Sequence, residues 1–145
     1  FHWFANAAPL AEFVRILRPG GRLAIVWNER DSSGEFVRGF RELERRFAAP
    51  DMLAGADFSD ATLEPLLLQS GFSNVSLLTF ANAQRLDREG ALGRMRSTSY
   101  APRSGPELEE LMRELDSLFE RCVDATGYVD MPYVTEVWSA TSLPA

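Results

Sequence analysis

The chain has 145 residues, of which 46% are hydrophobic and 25% charged, the composition of an ordinary globular domain with its own core. Its 21 acidic and 15 basic side chains give a formal net charge of −6, and every basic residue is an arginine interleaved with acids, which argues against a nucleic-acid surface. One cysteine and one histidine allow neither an internal disulfide nor a structural zinc site, so we expect no metal and a cytoplasmic location. No apolar run approaches the roughly 18 residues of a membrane helix, so no membrane partner is predicted.

The chain opens on three aromatic residues and a histidine, Phe1 to Phe4, with no initiator methionine. Chain termini are usually exposed, so we expect the ordered sequence to begin inside a fold. The chain is therefore predicted to be incomplete.

Apolar residues at three- and four-residue spacing predict an amphipathic helix over residues 7–17. A Pro-Gly-Gly turn at 19–21 ends it, because proline disfavours helix at the preceding residue and glycine permits a left-handed turn. Residues 23–27 are apolar at every position, which predicts a strand covered on both faces, as in a parallel sheet.

A second helix is predicted from Phe36 to about Ala48, after a polar loop at 29–34 and before another loop at 50–60. A third helix follows, ending at Gly71, with Pro65 placed in its first turn and Thr62 as its N-cap, because proline is costly inside a helix. Residues 75–80 predict a second strand.

A short helix is predicted over residues 87–97, followed by a loop at 97–103. Ser104 and Glu107 form a predicted capping box for the longest helix, which runs to Val123. Cys122 lies on the apolar face of this helix and is expected to be shielded and inert. The last strand is predicted over residues 131–140.

The predicted order is helix, strand, helix, helix, strand, helix, helix, strand, which is an α/β arrangement with helices covering a sheet. The glycine pair Gly20-Gly21 follows a helix and opens a strand, the reverse of a phosphate-binding loop, so it is predicted to be a structural turn. Ligands sit beyond the carboxyl ends of parallel strands, so residues 27–31 are candidates for a ligand site. Their alternative role is packing and loop chemistry.

Residues 1–4 followed by the segment Leu10 to Asn28, with its Leu-Arg-Pro-Gly-Gly turn, resemble the middle of a class I S-adenosylmethionine-dependent methyltransferase of the broad small-molecule type. Gly71-Phe72 and the segment 132–138 are similar to the end of a helix and the last strand in that family. The resemblance implies that residues 1–145 are the C-terminal part of a single methyltransferase domain whose N-terminal cofactor-binding strands are absent. The implied fold is an incomplete Rossmann-like sheet of mixed parallel and antiparallel strands.

The resemblance also implies site residues. Phe1, His2 and Trp3 would contact S-adenosylmethionine, and His2 is the candidate general base for a hydroxyl acceptor, because imidazole titrates near neutrality. Phe4, Trp27, Asn28 and Tyr100 would shape the pocket for a small-molecule acceptor. The alternative hypothesis is a catalytically incompetent fragment that forms a homodimer through an exposed sheet edge.

Overall fold

The computed structural model describes residues 6–48, 60–99 and 101–143, and it confirms the predicted order of elements. Among these residues no helix has both the length and the apolar character needed to cross a bilayer. The elements are α1 (Ala7–Ile16), β1 (Arg22–Arg30), α2 (Glu35–Phe47), α3 (Asp60–Gln69), β2 (Phe72–Leu86), α4 (Arg88–Arg96), α5 (Pro106–Cys122) and β3 (Val129–Ser142).

The three strands form one sheet in the order β1-β3-β2, so the last strand in the sequence lies in the middle. Ser142 N–H donates to the Gly21 carbonyl at 2.8 Å, and Asp31 N–H donates to the Pro132 carbonyl at 3.0 Å, which makes β1 and β3 antiparallel. Leu143 N–H donates to the Gly71 carbonyl at 2.9 Å at the start of β2, so β2 is antiparallel to β3 as well. The predicted α/β class is confirmed, and both of these pairings are antiparallel.

The turn before β1 has the structural role predicted for its glycine pair. Gly20 adopts a left-handed φ of 73°, and Gly21 N–H donates to the Arg18 carbonyl at 2.7 Å. A Cβ at Gly21 would lie 2.8 Å from the Arg18 oxygen, so glycine is required for this close approach.

Burial alternates along β1, contrary to the predicted cover on both faces. Ile25 is 6% exposed, whereas its neighbour Val26 is 59% exposed. Successive side chains of a strand point to opposite faces, and the packed helices found in the described residues cover the Ile25 face. The prediction was wrong here because an unbroken apolar run cannot show which of its two faces meets a helix.

The described residues divide into two compact units. The first comprises residues 6–28, 60–80 and 135–143, and the second comprises residues 29–48, 81–99 and 101–134. In the first unit, α1 and α3 pack on one face of the sheet. Its buried core consists of Leu10, Ile25, Leu63, Leu67, Phe72, Trp138 and Ala140.

The second unit has a larger core, in which α2 and α4 pack against α5. Phe36 and Phe40 of α2 contact each other with ring centroids 5.9 Å apart. A Cβ at Gly39 would lie 2.7 Å from Cδ1 of Leu118, so the missing side chain lets α2 approach α5 closely. Cys122 is partly buried against this core as predicted, and burial raises the pKa of its thiol, with the charge of Glu35 adding to the effect.

Two helix starts differ from the predictions. α3 begins at Asp60, so Pro65 lies inside the helix and Thr62 is not the N-cap. The N-cap of α5 is Gly105, with φ 84° and no side-chain cap hydrogen bond, so the predicted capping box does not form. Pro106 explains the second difference, because proline lacks an N–H and its fixed φ suits the first helical position.

The turn from α5 into β3 is organised by one carboxylate. Asp124 Oδ1 accepts a hydrogen bond from the Thr126 hydroxyl at 2.6 Å and from the backbone N–H groups of Thr126 at 2.8 Å and Tyr128 at 3.1 Å. Its other oxygen accepts from Arg85 at 2.9 Å. The Thr126 hydroxyl is the largest influence, followed by Tyr128 N–H, and together these donors lower the pKa of Asp124 to about 2.

This turn is expected to make stability depend on pH. The folded-state pKa of Asp124 lies below the ordinary value of 3.8, so the carboxylate stabilises the fold above about pH 4 and loses that contribution as the pH falls toward 2. Asp124→Asn should therefore lower the free energy of unfolding at pH 7, with a gap to wild type that closes in acid. Urea titrations of both proteins between pH 7 and pH 2 measure this; a gap independent of pH would contradict it.

Candidate functional site

Most of the predicted site residues cannot be placed by the structure. Phe1, His2, Trp3, Phe4 and Tyr100 lie outside the described residues, so their roles stay predictions. Trp27 and Asn28, the other two, occupy the carboxyl end of β1 within the first unit.

Trp27 and Asn28 point to opposite faces of the sheet, because they are consecutive in a strand. Asn28 Oδ1 accepts a hydrogen bond of 2.6 Å from the hydroxyl of Thr135, its cross-strand neighbour on β3. This register places Trp27 opposite Glu136 and Ile25 opposite Trp138. The structure therefore does not bring the two predicted acceptor residues to one surface.

Trp27 lies on the face of the sheet that α1 and α3 cover, which we call the covered face. This face holds two polar groups that the sequence analysis missed. Glu136 is 8% exposed, although Trp138, Ile25 and Trp27 on the same face belong to an apolar cluster. The indole nitrogen of Trp138 is buried and has no hydrogen-bond partner among the residues that the structure describes. The sequence did contain a signal for Glu136, because it is an acid at an inward-facing position of a strand that is otherwise rich in apolar residues.

The opposite face of the first unit, which we call the open face, carries Val26, Leu78 and Phe80. The Ser76 and Ser139 hydroxyls hydrogen-bond at 2.8 Å, which sets Ser76, and with it Leu78 and Phe80, on the same face as Val26. Val26 is 59% exposed, Leu78 58% and Phe80 53%. Large apolar side chains exposed together on one face are typical of a surface that another chain segment covers.

In the second unit, Arg30 and Glu44 form a buried ion pair. Arg30 Nη1 and Nη2 donate to the two Glu44 carboxylate oxygens at 2.5 and 2.9 Å, and the side chains are 13% and 8% exposed. The guanidinium also lies 5.4 Å from the centre of the Phe40 ring. These contacts join the last residue of β1 to α2, which is a packing role.

The neighbouring candidates, Glu29 and Asp31, also make packing and loop contacts. Arg41 donates to Glu29 at 2.7 Å and to the Ser32 hydroxyl at 2.7 Å. Asp31 accepts from Ser33 N–H at 2.8 Å, a bond that lowers the pKa of its carboxyl. Residues 29–31 thus hold the loop to α2.

A surface groove of about 410 Å³ lies between α2 and α5, and its acidic residues are paired with arginines. Glu42 pairs with Arg45 on α2, and Glu114 pairs with Arg46. Arg121 donates to a backbone carbonyl of its own helix at 3.1 Å. The two acids of the groove are thus paired with arginines, and the Arg121 guanidinium is engaged by its own helix.

The Arg30–Glu44 pair gives a direct test of this packing role. Glu44→Ala leaves the Arg30 charge buried and is expected to cost about 3–5 kcal/mol of unfolding free energy. Glu42→Ala on the same helix removes an exposed pair, with side chains 65% and 61% exposed, and should cost less than about 1 kcal/mol. Denaturant unfolding of the two variants measures the difference; equal losses would rule out a dominant buried pair.

The chain is similar to known proteins along almost its whole length. No family model matches the chain. A protein of Schizosaccharomyces pombe named an uncharacterized methyltransferase is 34% identical over 149 residues, covering 99% of this chain and 57% of its own length. A Mycobacterium bovis protein, also named an uncharacterized methyltransferase, is 28% identical over 145 residues, covering 97% of this chain and 55% of its own length.

The predicted resemblance to methyltransferases is confirmed. The chain spans about half the length of the curated relatives it matches. The crystal structure of a proposed methyltransferase from Bacillus halodurans C-125 superposes with a TM-score of 0.51 at 18% identity, covering 99% of this chain and 66% of the other. At that identity the superposition supports the methyltransferase-like fold alone.

Proposed function

We propose that this chain is the C-terminal part of a methyltransferase domain that transfers a methyl group from S-adenosylmethionine to a small-molecule acceptor. The observation that supports it best is the similarity to proteins named methyltransferases along 97% or more of the chain. The single cysteine is compatible with a cytoplasmic location, which we propose as well.

In this proposal the chain contributes binding and orientation. S-adenosylmethionine supplies an already activated sulfonium methyl group when bound. Phe1 and Trp3 would face the sulfonium cation, because an aromatic ring attracts a cation by roughly 0.5–2 kcal/mol. Phe4, Trp27 and Tyr100 would hold the acceptor in line, where positioning within about 3–3.5 Å provides much of the rate.

The division of Trp27 and Asn28 between two faces refines this proposal. Asn28 is engaged with Thr135 on the open face, whereas Trp27 is partly buried on the covered face. An acceptor on the covered face would touch the Trp27 ring, and Asn28 would then act by fixing the strand register.

Calorimetric titration of the chain with S-adenosylmethionine tests cofactor binding. Micromolar binding supports the proposal. No binding, together with a stable dimer in analytical ultracentrifugation, would favour the alternative of a self-associating fragment.

The role of His2 is tested in the full-length protein. If His2 accepts the acceptor's proton, His2→Ala should lower methyl transfer about a hundredfold or more without abolishing cofactor binding. Transfer of labelled methyl groups to small molecules of a cell extract measures the first, and calorimetry the second. The exposed Glu64 provides the control, because Glu64→Ala should change neither quantity; unchanged turnover in His2→Ala would remove His2 from the mechanism.

The alternative function, a self-associating module, is supported by the open face and by the strand order. β1 and β2 are the outer strands of the described sheet, and Val26, Leu78 and Phe80 expose apolar surface beside them. Strand edges of this kind pair readily with another chain. The ultracentrifugation described above decides between the two functions.

A further inference from the structure

The outer strand β2 is the most exposed part of the described sheet. In the part of the chain that the structure describes, β2 pairs with β3 alone, and we call its other side the outer edge. Every residue from 76 to 85 is exposed, whereas exposure varies from residue to residue along β1. Both faces of this segment and its outer edge are therefore accessible to solvent.

The composition of β2 leaves this edge without the usual protection. Natural edge strands carry charges or proline, because a long uncharged edge pairs readily with another chain. Residues 72–84 contain neither, whereas β1 has charged residues at both of its ends. The left-handed φ of 49° at Asn74 interrupts the extended backbone of β2 only near its start. The stretch that follows, residues 75–83, is thus suited to accept another strand.

The hydrogen bonds of β3 show which residues of β2 point to the outer edge. The Pro132 carbonyl accepts from Asp31 N–H, so the backbone groups of Pro132 point toward β1. Ser76 lies opposite Ser139, because their hydroxyls hydrogen-bond at 2.8 Å, and this register sets Ala83 opposite Pro132. The backbone N–H and C=O of Ala83, and of every second residue before it, therefore point away from β3.

The surroundings of Ala83 agree with this orientation. Its N–H donates to the side chain of the preceding residue, Asn82 Oδ1, at 2.8 Å. The residues that present backbone groups at the outer edge are thus Leu77, Thr79, Ala81 and Ala83. Two copies of β2 can pair in antiparallel only if such outward residues face one another.

The sequence of β2 is self-complementary about Thr79. When two antiparallel copies are aligned with Thr79 opposite its counterpart, Leu78 faces Phe80 of the other copy, and Leu77 faces Ala81. Apolar residues thus meet apolar residues on both faces. Because Thr79, Leu77 and Ala81 are outward residues, the same alignment also pairs their backbone N–H and C=O groups.

The alignment stays matched toward both ends of the strand. Further from the centre it gives the pairs Ser76 with Asn82, Val75 with Ala83, Asn74 with Gln84 and Ser73 with Arg85. Polar residues face polar residues, and no two like charges stand opposite each other, which would be destabilising. Register in a sheet is set by this kind of side-chain pattern.

We propose that β2 is the self-association surface of this chain, and that it pairs in antiparallel with β2 of a second copy about a two-fold axis at Thr79. The two three-stranded sheets then form one continuous sheet, and Leu78 and Phe80 of each open face gain apolar neighbours. This inference goes beyond the proposed function, because it holds whether or not the chain transfers methyl groups. β3 separates β2 from β1, which carries Trp27, so pairing is compatible with methyl transfer.

Opposite charges at position 79 test this register. Thr79→Lys places two lysines opposite each other across the axis and Thr79→Glu two glutamates, so each variant repels its own copy. We expect the wild-type chain to sediment as a dimer in analytical ultracentrifugation and each variant to dimerise at least about tenfold more weakly. An equimolar mixture of the two variants should recover the dimer, because a lysine then faces a glutamate.

Gln69 of α3 provides the matched control, because it is exposed, uncharged and outside β2. Gln69→Lys and Gln69→Glu make the same changes of net charge and should dimerise as the wild type does. A wild-type chain that stays monomeric at high micromolar concentration would overturn the proposal. Variants at position 79 that dimerise as strongly as the wild type would overturn it as well.

Amide hydrogen exchange followed by nuclear magnetic resonance provides a second measurement, which needs no variant. The N–H groups of Leu77, Thr79 and Ala81 are open to solvent at the outer edge of a monomer and donate to the other copy in the dimer. Exchange at these three residues should therefore slow as the protein concentration rises. A dimer in which these three rates do not depend on concentration would place the interface elsewhere and contradict pairing through β2.

Discussion

The fold depends on β3, the last strand in the sequence, because it pairs with both other strands of the described sheet. Its hydrogen bonds reach far along the chain: the Ser142 hydroxyl contacts the Arg18 carbonyl across 124 positions, and Thr135 contacts Asn28 across 107. Contacts of this length close large loops, so the loop entropy is lost when they form. β3 therefore lies between β1 and β2 and joins them in one sheet.

The central position of β3 also decides what each face of the first unit can do. One face, with Ile25 and Trp138, is packed under α1 and α3, and it contains the buried carboxylate of Glu136. The open face, with Val26, Leu78 and Phe80, is exposed and apolar. The packed face and the exposed apolar face are thus separated by the thickness of a single sheet.

The second unit uses its arginines to hold structure together. Arg30 is bound by Glu44 and lies over Phe40, Arg41 binds Glu29 and Ser32, and Arg85 binds Asp124. The guanidinium group suits this task because it forms several hydrogen bonds in a fixed plane and keeps its charge when partly buried. Acids and arginines that are interleaved in the sequence therefore form pairs that stabilise this unit. The candidate site residues that the structure places, Trp27 and Asn28, lie elsewhere, toward the carboxyl end of β1.

The sequence by itself determined the eight elements and their order, because helix periodicity, proline and glycine turns and apolar runs are local signals. It also determined the resemblance to methyltransferases, which rests on short motifs such as the turn at Gly20-Gly21. Tertiary structure alone decided the antiparallel strand order, the exposure of Val26 and the separation of Trp27 from Asn28. It also decided the burial of Glu136 and replaced the predicted capping box with Gly105. The first four features depend on which residues meet across 60 or more positions, which residues next to them in the sequence do not encode. The start of α5 is different, because Pro106 provides a local reason for it.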